Sequence, residues 1–212
     1  MQDNDSQYQS LSYKVFKDVV SPLVSKKNRI CYGSSLGGYC ALYYAGAINA
    51  DVIAAAPKNS AHPDFVELDN VKRFPKGLFK HSSLGENQLT HGRICVFYDP
   101  YNLSDVTFFR KYVRPYYPGV TLIEVPHAGH EVLHYLRETN QLKQFVVSYA
   151  DGDLMDIDLT INAPCLELGL AKHWSIIGDG EKASLFASSV LNRDNVKNRN
   201  KKEVLRILKK FS

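Results

Sequence analysis

No apolar run in this 212-residue chain approaches the ~20 residues that a membrane-spanning helix requires. The first ten residues are polar and include two acids, so they lack the basic start and the apolar stretch of a secretory signal. The sequence therefore predicts neither a transmembrane segment nor a signal peptide.

Cysteine is scarce, and its spacing does not indicate a disulfide framework. The four cysteines are far apart and include no C-x-x-C pair, and three of them lie in apolar segments. These features are typical of small buried side chains rather than of redox or disulfide sites. We therefore expect a reducing compartment, the cytoplasm. The cysteines are Cys31, Cys40, Cys95 and Cys165.

Net positive charge is absent from most of the chain and is concentrated at its end. Residues 193–212 carry eight basic side chains against two acidic ones. Because the rest of the chain has no basic excess, we expect no nucleic-acid partner. In the same tail an apolar stripe runs between the basic residues, which predicts an amphipathic helix packed on its own domain, with binding to a polyanion or a membrane surface as the alternative. The stripe consists of Val204, Leu205, Ile207 and Leu208.

The remaining composition is that of a chain able to bury a core, with 44% hydrophobic and 23% charged residues. Short apolar segments typical of buried strands alternate with segments of helical spacing, which predicts a mostly parallel sheet flanked by helices. We expect an α/β domain over residues 1–150 and a helical C-terminal extension over residues 151–212. The predicted strands are 29–32, 51–56, 93–98 and 120–125.

The turn between the first predicted strand and its helix has the pattern G-x-S-x-G, at Gly33, Ser35 and Gly37. In this pattern the serine lies on a strained strand-to-helix turn that exposes its hydroxyl, and the flanking small residues avoid steric collision. We therefore expect Ser35 as a nucleophile and the Leu36 N–H as an oxyanion donor. A phosphate-binding turn is the alternative, but no Lys-Ser/Thr pair follows.

A carboxylate and a histidine come later in the chain, in the order Ser, Asp, His that such a site requires. His130 follows the fourth predicted strand, and the glycine before it lets the loop curl back, so we favour His130 over His127 as the general base. Asp99 ends the third predicted strand directly, whereas Asp105 lies at the start of the next helix, where helix capping is the alternative. Position slightly favours Asp99, and both stay open as the triad acid.

His127, His130 and His134 also form the pattern H-x-x-H-x-x-x-H. This spacing suits metal ligands, but no carboxylate–histidine motif of a metalloenzyme accompanies it. We therefore interpret His134 as a residue of an amphipathic helix, one turn after His130. We expect no metal and no cofactor.

These motifs resemble the α/β-hydrolase superfamily and, more narrowly, bacterial hydrolase-like proteins of capsule and other surface-polysaccharide pathways. The resemblance covers about residues 12–145 and implies esterase or O-acyltransferase chemistry through an acyl-Ser35 intermediate. It also implies that Asp99 or Asp105, together with His130, completes the triad. The segments that carry it are 32–39, 97–100 with Asp105, and 127–130.

The chain departs from this resemblance in the segment before Ser35. We call the strand-to-helix turn at Ser35 the elbow. Hydrolases of this fold usually place several strands there, and an early loop donates the second oxyanion N–H, whereas only 34 residues precede Ser35. We therefore expect a reduced fold, in which the early strands are absent, are supplied by another chain or lie outside this sequence. The second oxyanion donor is not identified. The elbow strand is expected at an open sheet edge, which a second copy or a partner chain would cover. The alternative is that the helix over 11–26 and the C-terminal helices of the same chain cover this edge.

The sequence thus predicts a serine esterase or O-acyltransferase that acts on a small-molecule or saccharide ester. A non-catalytic assembly module on a truncated hydrolase scaffold is the alternative, although a scaffold needs no Ser, His and Asp set. The polar segment 57–91 is expected either to shape the substrate pocket or to pack over the sheet. Its aromatic and histidine side chains include His62, Phe65, Phe74 and Phe79.

Overall fold

The structure is a computed structural model that describes residues 8–24, 28–62, 80–81, 83–161, 163–193, 196 and 198–212. These residues form an α/β fold, in which a parallel four-stranded sheet is flanked by helices and only helices follow residue 151. The fold class expected from the sequence is confirmed. Phe65, Phe74 and Phe79 lie outside the described residues, so their role stays a prediction.

The four strands lie in the sheet in the order in which they occur along the chain. β1 pairs with β2 with Ile30 opposite Asp51, and β2 pairs with β3 with Val52 opposite Ile94. Because the strands are parallel, their carboxyl ends meet at one edge of the sheet, where α/β proteins bind ligands. The strands are β1 (Ile30–Ser34), β2 (Asp51–Ala55), β3 (Ile94–Tyr98) and β4 (Thr121–Glu124).

β1 is an edge strand of the described sheet, and it is less buried than its neighbours. Its central residue, Tyr32, is 48% exposed, whereas four of the five residues of β2 and of β3 are buried. The expectation that the elbow strand lies at a sheet edge is confirmed for the described residues. What covers this edge stays a prediction.

In the described residues before β4, three α-helices accompany the sheet: α1 (Tyr13–Val20), α2 (Leu36–Ile48) and α3 (Leu103–Phe108). The last continues as a π-helical turn over Phe109–Val113. The Ser12 hydroxyl caps α1 by accepting the Val15 N–H (3.2 Å). α1 ends at Val20, two residues before Pro22, which has no N–H to donate and disfavours the helical conformation of the residue before it.

α3 begins two residues earlier than the sequence pattern suggested. Asp105 is therefore the third residue of α3, and the capping role considered for it is wrong. Asp105 itself is buried in this first turn, although Leu103 at the start of the helix is exposed. The Asp and Asn types that favour caps are also tolerated inside the first turn, where the helix dipole favours negative charge.

Five helices follow β4 in the part of the chain that the structure describes, and three of them share one apolar cluster. In this cluster Val204 and Ile207 are buried, so the prediction that the basic helix packs on its own domain is confirmed for them. It is wrong for Leu205, which is 55% exposed because it lies about 100° around the helix from Val204. The helices are α4 (Val132–Glu138), α5 (Gln141–Asp151), α6 (Pro164–Ile177), α7 (Gly180–Leu191) and α8 (Asn198–Phe211).

The chain divides into two compact units. The first comprises Met1–Phe97 and Ser104–Ile123, and the second comprises Tyr98–Leu103 and Glu124–Ser212. In the described part of either unit, every helix is too short or too polar to cross a membrane.

Candidate active site

Ser35 is the single residue between β1 and α2, and its backbone adopts a conformation that residues with a side chain rarely take. Its φ is 54° and its ψ is −122°. Such strain costs about 1–3 kcal/mol and persists only where the surrounding structure enforces it. Glycine would adopt the same conformation without this cost, yet the chain has serine here. A strained serine between a strand and a helix is the local geometry of a nucleophile elbow.

Three backbone hydrogen bonds hold Ser35 in this conformation. Its N–H donates to the Ala55 carbonyl (2.9 Å), and its own carbonyl accepts the Tyr39 N–H (3.0 Å) and the Lys58 N–H (3.1 Å). The end of β2 and the first turn of α2 therefore hold the elbow together. Because both backbone groups of Ser35 are engaged, the side chain is the group through which this residue can react.

The glycines around Ser35 contribute unequally to the turn. A Cβ on Gly33 would overlap the Gly37 carbonyl and lie 2.8 Å from the Gly38 nitrogen, so the expected steric need for glycine is confirmed there. At Gly37 the expectation is wrong, since a Cβ would meet no described atom within 4 Å. Gly38 is the second close contact, because its Cβ would lie 3.1 Å from the Gly33 carbonyl oxygen and 3.2 Å from that of Ala55.

The first N–H groups of α2 provide the electrostatic side of the elbow. α2 begins at Leu36, so this N–H has no carbonyl acceptor four residues earlier within the helix and belongs to the positive end of the helix dipole. This is the arrangement expected of an oxyanion donor. The Ser35 N–H is committed to Ala55 and does not supply the second donor.

Asp99 follows β3 directly, is only 3% exposed, and accepts three backbone N–H groups. Its Oδ1 accepts from Tyr101 (2.9 Å) and His127 (3.1 Å), and its Oδ2 accepts from Gly129 (2.8 Å). The bond to Tyr101 closes a turn, and the other two hold the 127–129 turn immediately before His130. Asp99 therefore fixes the loop that carries His130, which is a role that the sequence pattern did not suggest.

His127 lies in this turn with a positive φ of 64° and packs among aromatic rings. Its imidazole stacks on Tyr101 (ring centroids 4.5 Å apart) and meets the edge of His173 (4.8 Å). Burial lowers the pKa of His127, and the neighbouring His173 lowers it further, while Asp99 acts in the opposite direction. Its buried Nδ1 has no hydrogen-bond partner among the described residues. The Nδ1 of a triad base donates to a carboxylate, and His127 Nδ1 has no such acceptor among the described residues. His127 is therefore the weaker candidate for the base, and His130 stays the favoured one.

His130 is half-buried, two residues before α4, and it lines a cavity of about 340 Å³. The walls of this cavity come from the 128–131 turn, from α6 and from α8, and all of them belong to the second unit. Gly129 has a φ of 67°, which supports the expectation that a glycine turns the chain before His130. A close approach of α6 also holds this turn, because a Cβ on Gly169 would overlap the His127 carbonyl.

A cysteine of α6 lines the same cavity as His130, which raises the question of a thiol nucleophile. Burial raises the pKa of the Cys165 thiol well above its ordinary value, so Cys165 stays protonated and unreactive. Burial likewise raises the pKa of Cys31 to about 11, and those of Cys40 and Cys95 to about 12. All four cysteines are free thiols.

The predicted site residues fall in both units. Ser35, Leu36 and Asp105 belong to the first unit, and Asp99 and His130 belong to the second. Asp99 and Asp105 are equally buried, at 3% exposure, and both stay candidates for the triad acid.

His134 lies on α4, as the sequence pattern suggested, and it is engaged by neighbours on the same helix face. Its Nδ1 is 3.2 Å from an Arg137 nitrogen, and its Nε2 is 3.7 Å from the Glu131 carboxylate. Within the described residues, no group of three or more His, Cys, Asp or Glu side chains has the arrangement of a metal site.

Sequence reasoning missed the residues that support the elbow and the histidine turn. Gly38, Lys58 and Gly169 act through backbone contacts with segments distant in the chain, so local patterns carry no signal for them. The role of Asp99 had a partial signal, because an Asp-Pro pair after a strand is typical of a turn. Comparison of the chain with protein-family models, with curated proteins and with solved structures found no match.

Proposed function

We propose that the protein is a serine esterase or O-acyltransferase that works through an acyl-Ser35 intermediate. The observation that carries this proposal is the strained backbone of Ser35 (φ 54°, ψ −122°) between a parallel strand and a buried helix. A turn that only connects two elements gains nothing from this strain, whereas a nucleophile that must project from the sheet edge requires it.

In the proposed reaction His130 takes the hydroxyl proton of Ser35 while the serine oxygen attacks the ester carbonyl. The Leu36 N–H stabilises the negative charge that develops on the carbonyl oxygen. His130 then returns the proton to the leaving alcohol, and the acyl group remains on Ser35. Asp99 or Asp105 stabilises the histidine that carries the proton.

The second half of the reaction decides between hydrolysis and transfer. Water or a sugar hydroxyl attacks the acyl-Ser35 ester, His130 accepts the proton of the attacking group, and Ser35 regains its hydroxyl proton. We propose a saccharide or small-molecule ester as substrate, which the resemblance to hydrolase-like proteins of surface-polysaccharide pathways supports. We further propose a cytoplasmic location, supported by the four free thiols.

The test is covalent labelling with a fluorophosphonate probe, followed by peptide mass spectrometry. We expect one adduct, on the peptide that contains Ser35, and its loss in a Ser35→Ala variant. A Ser34→Ala variant is the matched control, because it removes a hydroxyl from the neighbouring residue at the end of β1 and should keep the label. Labelling that survives Ser35→Ala would end this assignment.

The exposed edge strand β1 favours a second candidate function, that of an assembly module. At the edge of the described sheet, the outer backbone groups of β1 are suited to adding a strand from another chain. In this case fluorophosphonate leaves Ser35 unlabelled in a folded protein, while light scattering at micromolar concentration shows a stable oligomer. A labelled monomer with full esterase turnover would contradict the assembly function.

A further inference from the structure

Three cations lie along one side of α8 at separations of about one turn: Arg199, Lys202 and Arg206. They line an open depression of about 400 Å³. Seven residues separate the first from the last, which is about 10 Å along a helix. We call these three residues the cationic strip.

Among the described residues, the carboxylate that shares the depression with the strip is paired with a cation outside the strip. Glu203 lies in the same depression, but its carboxylate pairs with Lys172 of α6 (3.2 Å). In the described part of the chain, no ion pair involves a residue of the strip. Three like charges held on one helix face repel one another and create a positive potential that attracts anions.

The depression adjoins the cavity beside His130. Arg199 and Glu203 line both spaces, and Lys172 of α6 also lines the cavity. Both spaces lie within the second unit. A substrate whose reacting ester enters the cavity at His130 would therefore extend its adjoining part over the strip.

We propose that the cationic strip binds the anionic part of the ester substrate, a chain that carries at least two phosphate or carboxylate groups roughly 10 Å apart. The inference rests on the proposed function, because it takes the cavity beside His130 as the place of the reacting ester. It narrows the substrate class from esters in general to esters on an anionic chain.

The first test measures binding without any reaction. A linear polyphosphate long enough to span the strip and a short oligogalacturonate are titrated calorimetrically into the full chain at low salt, as the phosphate and the carboxylate probes. We expect at least one to bind, and Lys202→Glu to weaken that binding by about fivefold or more. Lys201→Glu is the matched control, since it is the same change on the same helix at an exposed residue outside both spaces. It should weaken binding by less than about twofold.

The two probes distinguish the two sources of negative charge, since the one that binds more tightly identifies the group that the strip prefers. Failure of both probes to bind would overturn the proposal. So would an equal loss of affinity in Lys201→Glu and Lys202→Glu, because the strip would then act only through net charge.

The second test connects the strip to the reaction. The probe that binds should inhibit hydrolysis of p-nitrophenyl acetate by the wild-type protein. Lys202→Glu should raise the inhibition constant of the probe by the same factor as its dissociation constant. Binding without inhibition would overturn the substrate role. The binding titration is repeated with Ser35→Ala, which should bind the probe as the wild type does. If fluorophosphonate fails to label Ser35, the proposed esterase or acyltransferase function is refuted. The titration still shows whether the cationic strip binds anions.

Discussion

Replacement of Asp99 by asparagine keeps the size of the side chain and exchanges one carboxylate oxygen for an NH₂ group. In the wild type both oxygens accept N–H groups, from Tyr101 and His127 on one side and from Gly129 on the other. In either orientation of the amide, at least one N–H therefore faces an NH₂ group in a buried site. No orientation of asparagine satisfies all three donors.

The size of the effect follows from these bonds. A hydrogen bond to a charged group contributes about 1.5–3 kcal/mol, and a buried donor without an acceptor costs about 1–3 kcal/mol. Because relaxation of the turn recovers part of this loss, we expect Asp99→Asn to lower the free energy of unfolding by about 2–4 kcal/mol. The assay is urea unfolding followed by circular dichroism at pH 7.

Asp51→Asn is the matched control for this change. The Asp51 carboxylate also accepts three hydrogen bonds, from the Arg93 backbone N–H (2.8 Å) and from its guanidinium (2.9 and 2.6 Å). Its side chain is 24% exposed, so water can replace the lost partners, and we expect a loss below about 1 kcal/mol. If Asp99→Asn costs no more than Asp51→Asn, the assignment of Asp99 as the residue that holds the histidine turn is refuted.

Turnover of the same variant addresses the triad acid. Asp99→Asn and Asp105→Asn are compared at a temperature at which both are folded. The triad acid should lose about 10⁴-fold in turnover, because asparagine holds the histidine in the wrong tautomer. The other variant should lose little. Small and equal losses would mean that neither carboxylate supports His130.

Two further predictions concern the elbow and the response to pH. Gly33→Ala should lower the free energy of unfolding by at least about 2 kcal/mol and abolish fluorophosphonate labelling, because the new Cβ overlaps helix backbone. Gly37→Ala should keep both the stability and the labelling, and equal effects of the two changes would contradict this packing. Burial lowers the pKa of His81, although its hydrogen bond to the Leu11 carbonyl acts in the opposite direction. His81 therefore binds a proton near pH ~6.5 in the unfolded chain but only at lower pH in the folded chain. The free energy of unfolding falls as the pH drops below that value. His81→Gln should flatten this loss in urea unfolding between about pH 7.5 and about pH 5, and an unchanged slope would contradict the assignment.

The agreement between sequence and structure is closest where one short segment specifies the outcome. The strand Ile94–Tyr98 is a continuous apolar run, and it differs by one residue from the predicted strand. The helix α3 shows the limit of such patterns, since it begins at Leu103 although the apolar spacing suggested residue 105. Helix ends depend on a few capping contacts, and these change the boundary without changing the hydrophobic pattern.

The sequence by itself determined the order of the elements, the parallel sheet, and the position of Ser35 between β1 and α2. These features follow from local spacing of apolar residues and from glycine at a turn, and both are encoded within a few neighbouring positions. Only the tertiary structure decided that Gly33 is sterically required and Gly37 is not, and that Asp99 holds the turn before His130. These facts depend on contacts between segments far apart in the chain, and such distances exist only after the segments have packed together.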